Sequence, residues 1–389
     1  MTKDKELMKK ISDGFINNIL EQGELEFEDV TFDVGELELR FSPIVRKAVQ
    51  LKKILELAKL EFTPLNIEWI GKVEEVRLGA TANDGGTRDT TYVIGGEGAA
   101  AFYNFEQTMP HPPVVSMDVF DTKIHLPKAI RDQFGDVLED PAQWAKMCVE
   151  KYGAQMVNLH LISTDPYLKD TSPKDSVKIL EEVLQAVKVP LCVGGSGNPV
   201  KDVEIFEKVT EVGERLLINS INLDMDLERV TKPIKEHGHV AVAFTQMNMD
   251  KARELNRRLY DYLPRDQIVI DTNCSGIGYG LEHGFTTAER ARLAALKGDR
   301  ELQHPISLGI SNAWAPREAW LDMDPIWGPR EIRGPLWETI TALSMLLVGA
   351  DYLMMLHPTS VNTVKDFIGN LLNNSKKTEI SDWTSAKLR

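Results

Sequence analysis

A carboxylate at the end of an apolar run, followed by small hydroxyl and amide residues, can grip a polar ligand, and this chain repeats that arrangement. Ile268–Gly280, IVIDTNCSGIGYG, places Asp271, Thr272 and Asn273 directly after three apolar residues, then Gly276, Gly278 and Gly280. Comparable clusters are Asp118 with Phe120 and Asp121, His160 with Ser163 and Thr164, Gly194 through Ser196 to Asn198, and Asn219 with Ser220. Thr245, Gln246 and Asn248, then Ser311 and Asn312, and finally His357 continue the series. Amides, hydroxyls and glycines outnumber charges, which suits hydrogen bonding to an amide-rich or heterocyclic ligand and supplies too few ligands for a catalytic metal. Backbone N–H groups of Gly194–Gly197, close to a helix start at Pro199, could cradle an anionic or polar group. Each feature has a plainer alternative. Asp118 or Asp271 can cap a turn, glycines can serve tight turns, and His160 or His357 can be satisfied by backbone groups. No nucleophile–base pair is assignable from spacing.

Bringing such groups together requires a particular scaffold. Runs apolar at successive residues suit strands buried on both faces. They occur at Val114–Met117, Met156–Leu159, Pro190–Val193, Leu216–Ile218, Val240–Phe244, Ile268–Ile270, Ile306–Ile310 and Tyr352–Leu356. Helices are expected from near Pro141, Pro173, Pro199, Met225, Asp250, Thr286, Glu331 and Val361, several with proline or an acidic residue in the first turn. This alternation predicts an α/β fold, a (β/α)8 TIM barrel over residues 111–389, with the polar clusters at the carboxyl ends of its strands. The alternative is an open doubly wound sheet. Neither Gly194–Gly197 nor Gly276–Gly280 has the GxGxxG spacing, and there is no Walker A motif.

Residues 1–110 are expected to form an N-terminal α+β extension. It would hold a helix over Thr2–Glu21, strands within Gln22–Phe41, a helix capped by Ser42 with Ile44, Val45, Val49, Ile54, Leu57 and Leu60, and a β-hairpin near 73–94. The seventh connection, Asn312–Pro335, is long and carries Trp314, Trp320 and Trp327, which marks either an interface element or aromatic packing at the barrel edge.

The formal charge of −14 argues against sequence-independent nucleic-acid binding. Ile340–Ala350 is too short to span a bilayer, and the amino terminus lacks an apolar signal region, so no membrane association and a cytoplasmic location are expected. Cys148, Cys192 and Cys274 are too few and too far apart for a four-cysteine cluster, so no iron–sulfur cluster is expected in this chain.

SMDVFDTK (Ser116–Lys123), VNLHLISTDP (Val157–Pro166), PLCVGGSGNP (Pro190–Pro199), VIDTNCSGIGYG (Val269–Gly280) and SNAWAPREAW (Ser311–Trp320) together resemble the small subunit of the corrinoid iron–sulfur protein. The archaeal equivalent is the delta subunit of the acetyl-CoA decarbonylase/synthase complex. The resemblance covers roughly residues 70 to 375 and implies a TIM barrel akin to pterin-dependent methyltransferases. It further implies a heterodimer with a larger subunit carrying a [4Fe–4S] cluster and a cobamide domain, the cobamide lying between that domain and this barrel's mouth. Acetyl-CoA synthase and a methyltransferase would be transient partners. The pair would carry a methyl group from a methyl-tetrahydropterin or methyltetrahydrofolate to the nickel cluster of acetyl-CoA synthase in the reductive acetyl-CoA (Wood–Ljungdahl) pathway.

A corrin ring is fringed with amides, so a rim rich in Asn, Thr and Gly suits it. On the resemblance, the expected cobamide contacts are Asp118, Gly194, Ser196, Asn198, Asn219, Asp271, Asn273, Gly276 and Asn312, with no catalytic side chain and no metal ligand. Related barrels hold a pterin with Asp and Asn at strand ends, and Asp118, Asn219 and Asp271 occupy comparable places. Two other readings are a self-contained pterin-binding barrel methyltransferase, with a tetrahydropterin as its ligand, and a purely structural scaffold.

Overall fold

The computed structural model describes residues 67–104 and 106–372; the helix and strands expected within residues 2–41 and the helix after Ser42 lie outside the described residues. The first described elements are two short strands, β1 (Glu75–Leu78) and β2 (Tyr92–Gly95), paired antiparallel with Val76 opposite Ile94. Gly85, at φ 79°, closes the 3-10 turn between them. Val76, Leu78 and Ile94 are fully buried, each contributing about 1.5–3 kcal/mol.

Eight strands then close a barrel in chain order. They are β3 (Val114–Phe120), β4 (Met156–His160), β5 (Leu191–Gly194), β6 (Leu217–Ile221), β7 (Val240–Phe244), β8 (Ile268–Asp271), β9 (Ile306–Gly309) and β10 (Ala350–Met355). Every neighbouring pair is parallel, and β10 returns to β3. The closed (β/α)8 barrel replaces the open-sheet alternative.

The helices are α1 (Lys128–Phe134), α2 (Pro141–Glu150), α3 (Pro173–Ala186), α4 (Pro199–Val209), α5 (Leu227–Glu236), α6 (Met249–Leu259), α7 (Leu281–Leu296), α8 (Arg330–Leu347) and α9 (Pro358–Leu372). Proline opens α2, α3 and α4 behind the N-caps Asp140, Ser172 and Asn198. Two features differ from expectation. α7 starts at Leu281 rather than near Thr286, behind Gly280 at φ 102°. α1 was not anticipated, since Pro127 caps it without a side-chain hydrogen bond. Three 3-10 turns occupy much of Asn312–Pro335, and α8 starts at Arg330, beside the expected Glu331.

Side-chain alternation divides the strands into two sets. Val115, Met117, Leu159, Val193, Ile218, Ile270 and Leu308 face the helices. Val114, Met156, Cys192, Leu217, Val240, Val269 and Tyr352 face inward, in one apolar cluster with Val76, Leu78 and Ile94 of the hairpin. The hairpin therefore closes the amino-terminal end of the barrel. A buried ion cluster locks it there. Arg292 of α7 reaches Glu97, just after β2, at 3.0 Å and Asp351 of β10 at 2.5 Å, and Asp351 also accepts the Ile306 N–H at 2.6 Å. Among the described residues no helix is long and apolar enough to cross a membrane.

Candidate functional site

Register carries the polar strand ends to one level. Asp118 lies opposite Asn158, His160 opposite Gly194, Gly194 opposite Asn219, and Phe244 opposite Asp271. Just above the apolar layer sits a buried network. Tyr352 Oη donates to Asn158 Oδ1 at 2.5 Å, and Asn158 Nδ2 donates to Asp118 Oδ1 at 2.7 Å and to Ser116 Oγ at 2.8 Å. Ser116 Oγ in turn donates to the Leu353 carbonyl at 2.9 Å. Asp118 is only 1% exposed, so this network meets the cleft through His160, whose Nε2 lies 3.1 Å from Asp118 Oδ1.

The cleft above has a volume of about 530 Å³ and opens over β4 to β7. His160, Gly194, Ser196, Asn219, Ser220, Thr245 and Gln246 contribute to its walls. The side chains of Ser220, Thr245 and Gln246 have no hydrogen-bond partner among the described residues, and the Asn219 amide reaches only Met354 Sδ at 3.6 Å. These groups are available to a ligand.

The Gly194–Gly197 loop differs from its expected role as an open cradle. The N–H groups of Ser196 and Gly197 both donate to Asp202 in the first turn of α4, each at 2.8 Å, and Ser196 Oγ donates to the same carboxylate at 2.9 Å. A Cβ on Gly195 would lie 2.4 Å from that carboxylate, so glycine here lets Asp202 fill the nest. Burial pushes the Asp202 carboxyl above its ordinary range despite these three donors. Asn198 is engaged as an N-cap, its Oδ1 accepting the N–H groups of Val200 and Lys201 at 3.1 Å. Ser196 remains on the cleft wall; Asn198 faces the helix end.

A second group holds the neighbouring loops together. Asn312 Nδ2 donates to the Cys274 carbonyl at 2.9 Å, and a Cβ on Gly276 would come within 2.7 Å of Ala313 Cα. Asn312 and Gly276 therefore join the β8 and β9 connections. Asn273, at φ 68°, turns the chain and donates its N–H to Asp271 Oδ1 at 2.7 Å. That is the one donor to the Asp271 carboxylate among the described residues, and burial raises its pKa to about 7. Cys274, beside it, is pushed up to about 12 by burial first and the Asp271 charge second.

His357 departs from the ring of mouth residues. It lies in a separate groove with Trp320, Pro335 and Leu336, its ring stacked on Trp314 with centroids 6.0 Å apart. Its Nδ1 accepts the Thr359 N–H at 3.2 Å, and burial lowers its pKa to about 4. Of the nine expected contact residues, Gly194, Ser196 and Asn219 line the cleft, Asp118 lies beneath it and Asp271 adjoins it through Phe244. Asn158, Tyr352 and Asp202 were missed. The alternation of Asn158 with His160 on β4, and an acidic residue following a glycine-rich loop, were the available signals.

Around this polar mouth the βα connections expose large apolar side chains. Tyr167 and Leu168 follow β4, Val200 opens α4, Tyr279 follows β8, and Ile326 and Trp327 follow β9, with Ile326 88% exposed. Ile332, Leu336, Ile340 and Leu347 of α8 are exposed as well, and exposed apolar side chains in such number suit a macromolecular partner. Cys148, Cys192 and Cys274 are buried, and among the described residues no three His, Cys, Asp or Glu side chains converge as metal ligands.

Comparison with known proteins places the chain. Residues 75–325 match the family described as CO dehydrogenase/acetyl-CoA synthase delta subunit. The acetyl-CoA decarbonylase/synthase complex subunit delta of Archaeoglobus fulgidus is 50% identical over 331 residues, 83% of this chain and 73% of that protein. Its counterpart in Methanopyrus kandleri is 44% identical over 383 residues, 94% of this chain and 95% of that protein. Among solved structures, a Yersinia pestis dihydropteroate synthase aligns with a TM-score of 0.47 at 14% identity, covering 67% of this chain and 93% of that one. That level of likeness adds nothing to the barrel already described. On the sequence matches, this chain belongs to the family of delta subunits of the acetyl-CoA decarbonylase/synthase complex.

Proposed function

We propose that this chain is the barrel subunit of a corrinoid protein that passes a methyl group between a methyl-tetrahydropterin, or methyltetrahydrofolate, and the nickel cluster of acetyl-CoA synthase. Its larger partner would carry the cobamide and a [4Fe–4S] cluster. One observation carries the reading: a mouth where unpartnered amides and hydroxyls stand beside connections that expose large apolar side chains. When bound, the cobamide supplies the nucleophile that accepts the methyl group. The Asn219 and Gln246 amides and the Ser220 and Thr245 hydroxyls fit the amide fringe of a corrin, offering both donors and acceptors. At about 530 Å³ the cleft has the size of a pocket for one small ligand, so the cobamide would meet the rim while its bulk stays on its own subunit. Tyr167, Leu168, Ile326 and Trp327 would pack against that subunit and exclude water from the reacting face.

The test is co-expression with the larger subunit. Expected are a one-to-one complex, a cobamide absorption spectrum, and methyl transfer that falls in the Asn219→Ala/Gln246→Ala variant while assembly persists. A cobamide-free monomer that transfers methyl groups alone would overturn the proposal. That outcome would favour a second reading, in which this chain itself binds the tetrahydropterin. The support for it is Asp271, a buried carboxyl with one hydrogen-bond donor, to which ring N–H groups would be suitable partners. It predicts binding of methyl-tetrahydropterin by the chain without its partner, lost in Asp271→Asn.

A further inference from the structure

His160 is the one imidazole lining the cleft among the described residues, and its surroundings suit it to proton transfer. Its ring stacks on Phe120, with centroids 5.0 Å apart and planes at 21°. Nε2 lies 3.1 Å from Asp118 Oδ1 but has no aligned hydrogen bond, so the contact is electrostatic and strongest when the ring is doubly protonated. Asp118 is held from behind by Asn158, which Tyr352 holds in turn, and contacts no lysine or arginine among the described residues. Nδ1 faces Gly194, where an added Cβ would come within 3.0 Å of it; glycine keeps that side of the ring open. The other charged side chains on the cleft wall, Asp202, Asp224 and Lys251, come from the α4, β6–α5 and α6 segments.

The geometry points to His160 as the acid that protonates the departing nitrogen when a methylated tertiary amine gives up its methyl group, with Asp118 as counter-ion to the imidazolium. This inference rests on the methyl-transfer reading and deepens it. A reduced cobamide held by the partner would be the acceptor, supplying both electrons of the new bond to the methyl carbon and so being formally oxidised by two. The N–CH3 bond breaks, and its electron pair stays on nitrogen. That nitrogen takes the proton from His160 Nδ1, leaving a neutral ring protonated at Nε2 beside Asp118. Solvent restores the proton through the open cleft, and the reverse reaction uses the same atoms.

Two methyl donors separate this role from a structural one. Methyl-tetrahydropterin leaves as an amine that needs a proton, whereas methyl iodide leaves as iodide and needs none. In the two-subunit complex, His160→Gln is expected to slow transfer from methyl-tetrahydropterin by about 10²–10⁴-fold and to spare transfer from methyl iodide. Asp118→Asn, a positioning change, is expected to show the same donor selectivity with a smaller loss. In the two-subunit complex with 15N-histidine in this chain, adding tetrahydropterin is expected to shift the Nδ1 resonance of His160. Equal slowing with both donors, no slowing with either, or an unmoved resonance would overturn the assignment. A wild-type complex that accepts methyl iodide but never methyl-tetrahydropterin would overturn the functional reading first, and the assignment with it.

Discussion

Replacing Asp271 by asparagine is expected to make the protein more stable, and increasingly so as the pH rises. The native carboxyl titrates at about 7 because burial disfavours its charge and one N–H, from Asn273, offsets little of that cost. In the unfolded chain it would titrate near the ordinary aspartate value of about 3.9. Between these limits the native state holds a proton that the unfolded state has released, so stability falls as pH rises through the window. At about 1.4 kcal/mol per pH unit, the cost is about 1.5 kcal/mol at pH 5 and about 4 kcal/mol at pH 8. Asparagine keeps the acceptor for the Asn273 N–H and removes the titration, so its advantage should grow by about 2–3 kcal/mol between the two pH values. Glu338, also near 7, is present in both proteins and cancels in the comparison. Urea unfolding followed by tryptophan fluorescence at pH 5 and pH 8 measures the difference. A gap independent of pH, or a variant less stable than the parent at pH 8, would refute the reasoning.

Four further outcomes follow from the packing. Asp202→Ala leaves the Ser196 and Gly197 N–H groups without their acceptor; thermal unfolding should register a loss of about 2–4 kcal/mol, with faster amide exchange at those two positions. Arg292→Met strands the Glu97 and Asp351 carboxylates in the interior and should cost about 3–5 kcal/mol in urea unfolding. Gly276→Ala presses a methyl group against Ala313 and should cost about 1–3 kcal/mol by the same measurement. Ile326→Ser should leave unfolding of the isolated chain within about 0.5 kcal/mol, since the residue is exposed. On the proposed function, it should weaken association with the proposed larger subunit by about 1–2 kcal/mol, read by titration calorimetry.

The barrel was legible because its strands, buried on both faces, are written as continuous apolar runs, and because Pro141, Pro173 and Pro199 announce helix starts with unambiguous chemistry. The start of α7 was hidden by Gly284, which reads as loop yet packs inside the helix against Asn273 and Cys274, where an added Cβ would come within 3.2 Å of the Asn273 carbonyl oxygen. The site was half legible. Strand ends identified the level of the mouth, but the partner of each polar group depends on contacts across the chain. Asp202 lies six residues from Ser196 and satisfies its loop, whereas Asn312 lies 38 residues from Cys274 and closes another. His357 was misplaced because counting strand ends ignores side-chain direction: Tyr352 and Met354 point inward, and three residues beyond Met354 the imidazole has turned away from the lumen.

The hairpin floor has a consequence for traffic. With Val76, Leu78 and Ile94 stoppering one end of the barrel, the lumen has a single doorway. Whatever enters must depart by the route it came, and a large visitor resting on that doorway bars all others. A small methyl donor would then have to enter before that visitor settles and leave after it lifts, and the pace of the whole cycle would be governed by how quickly the threshold clears.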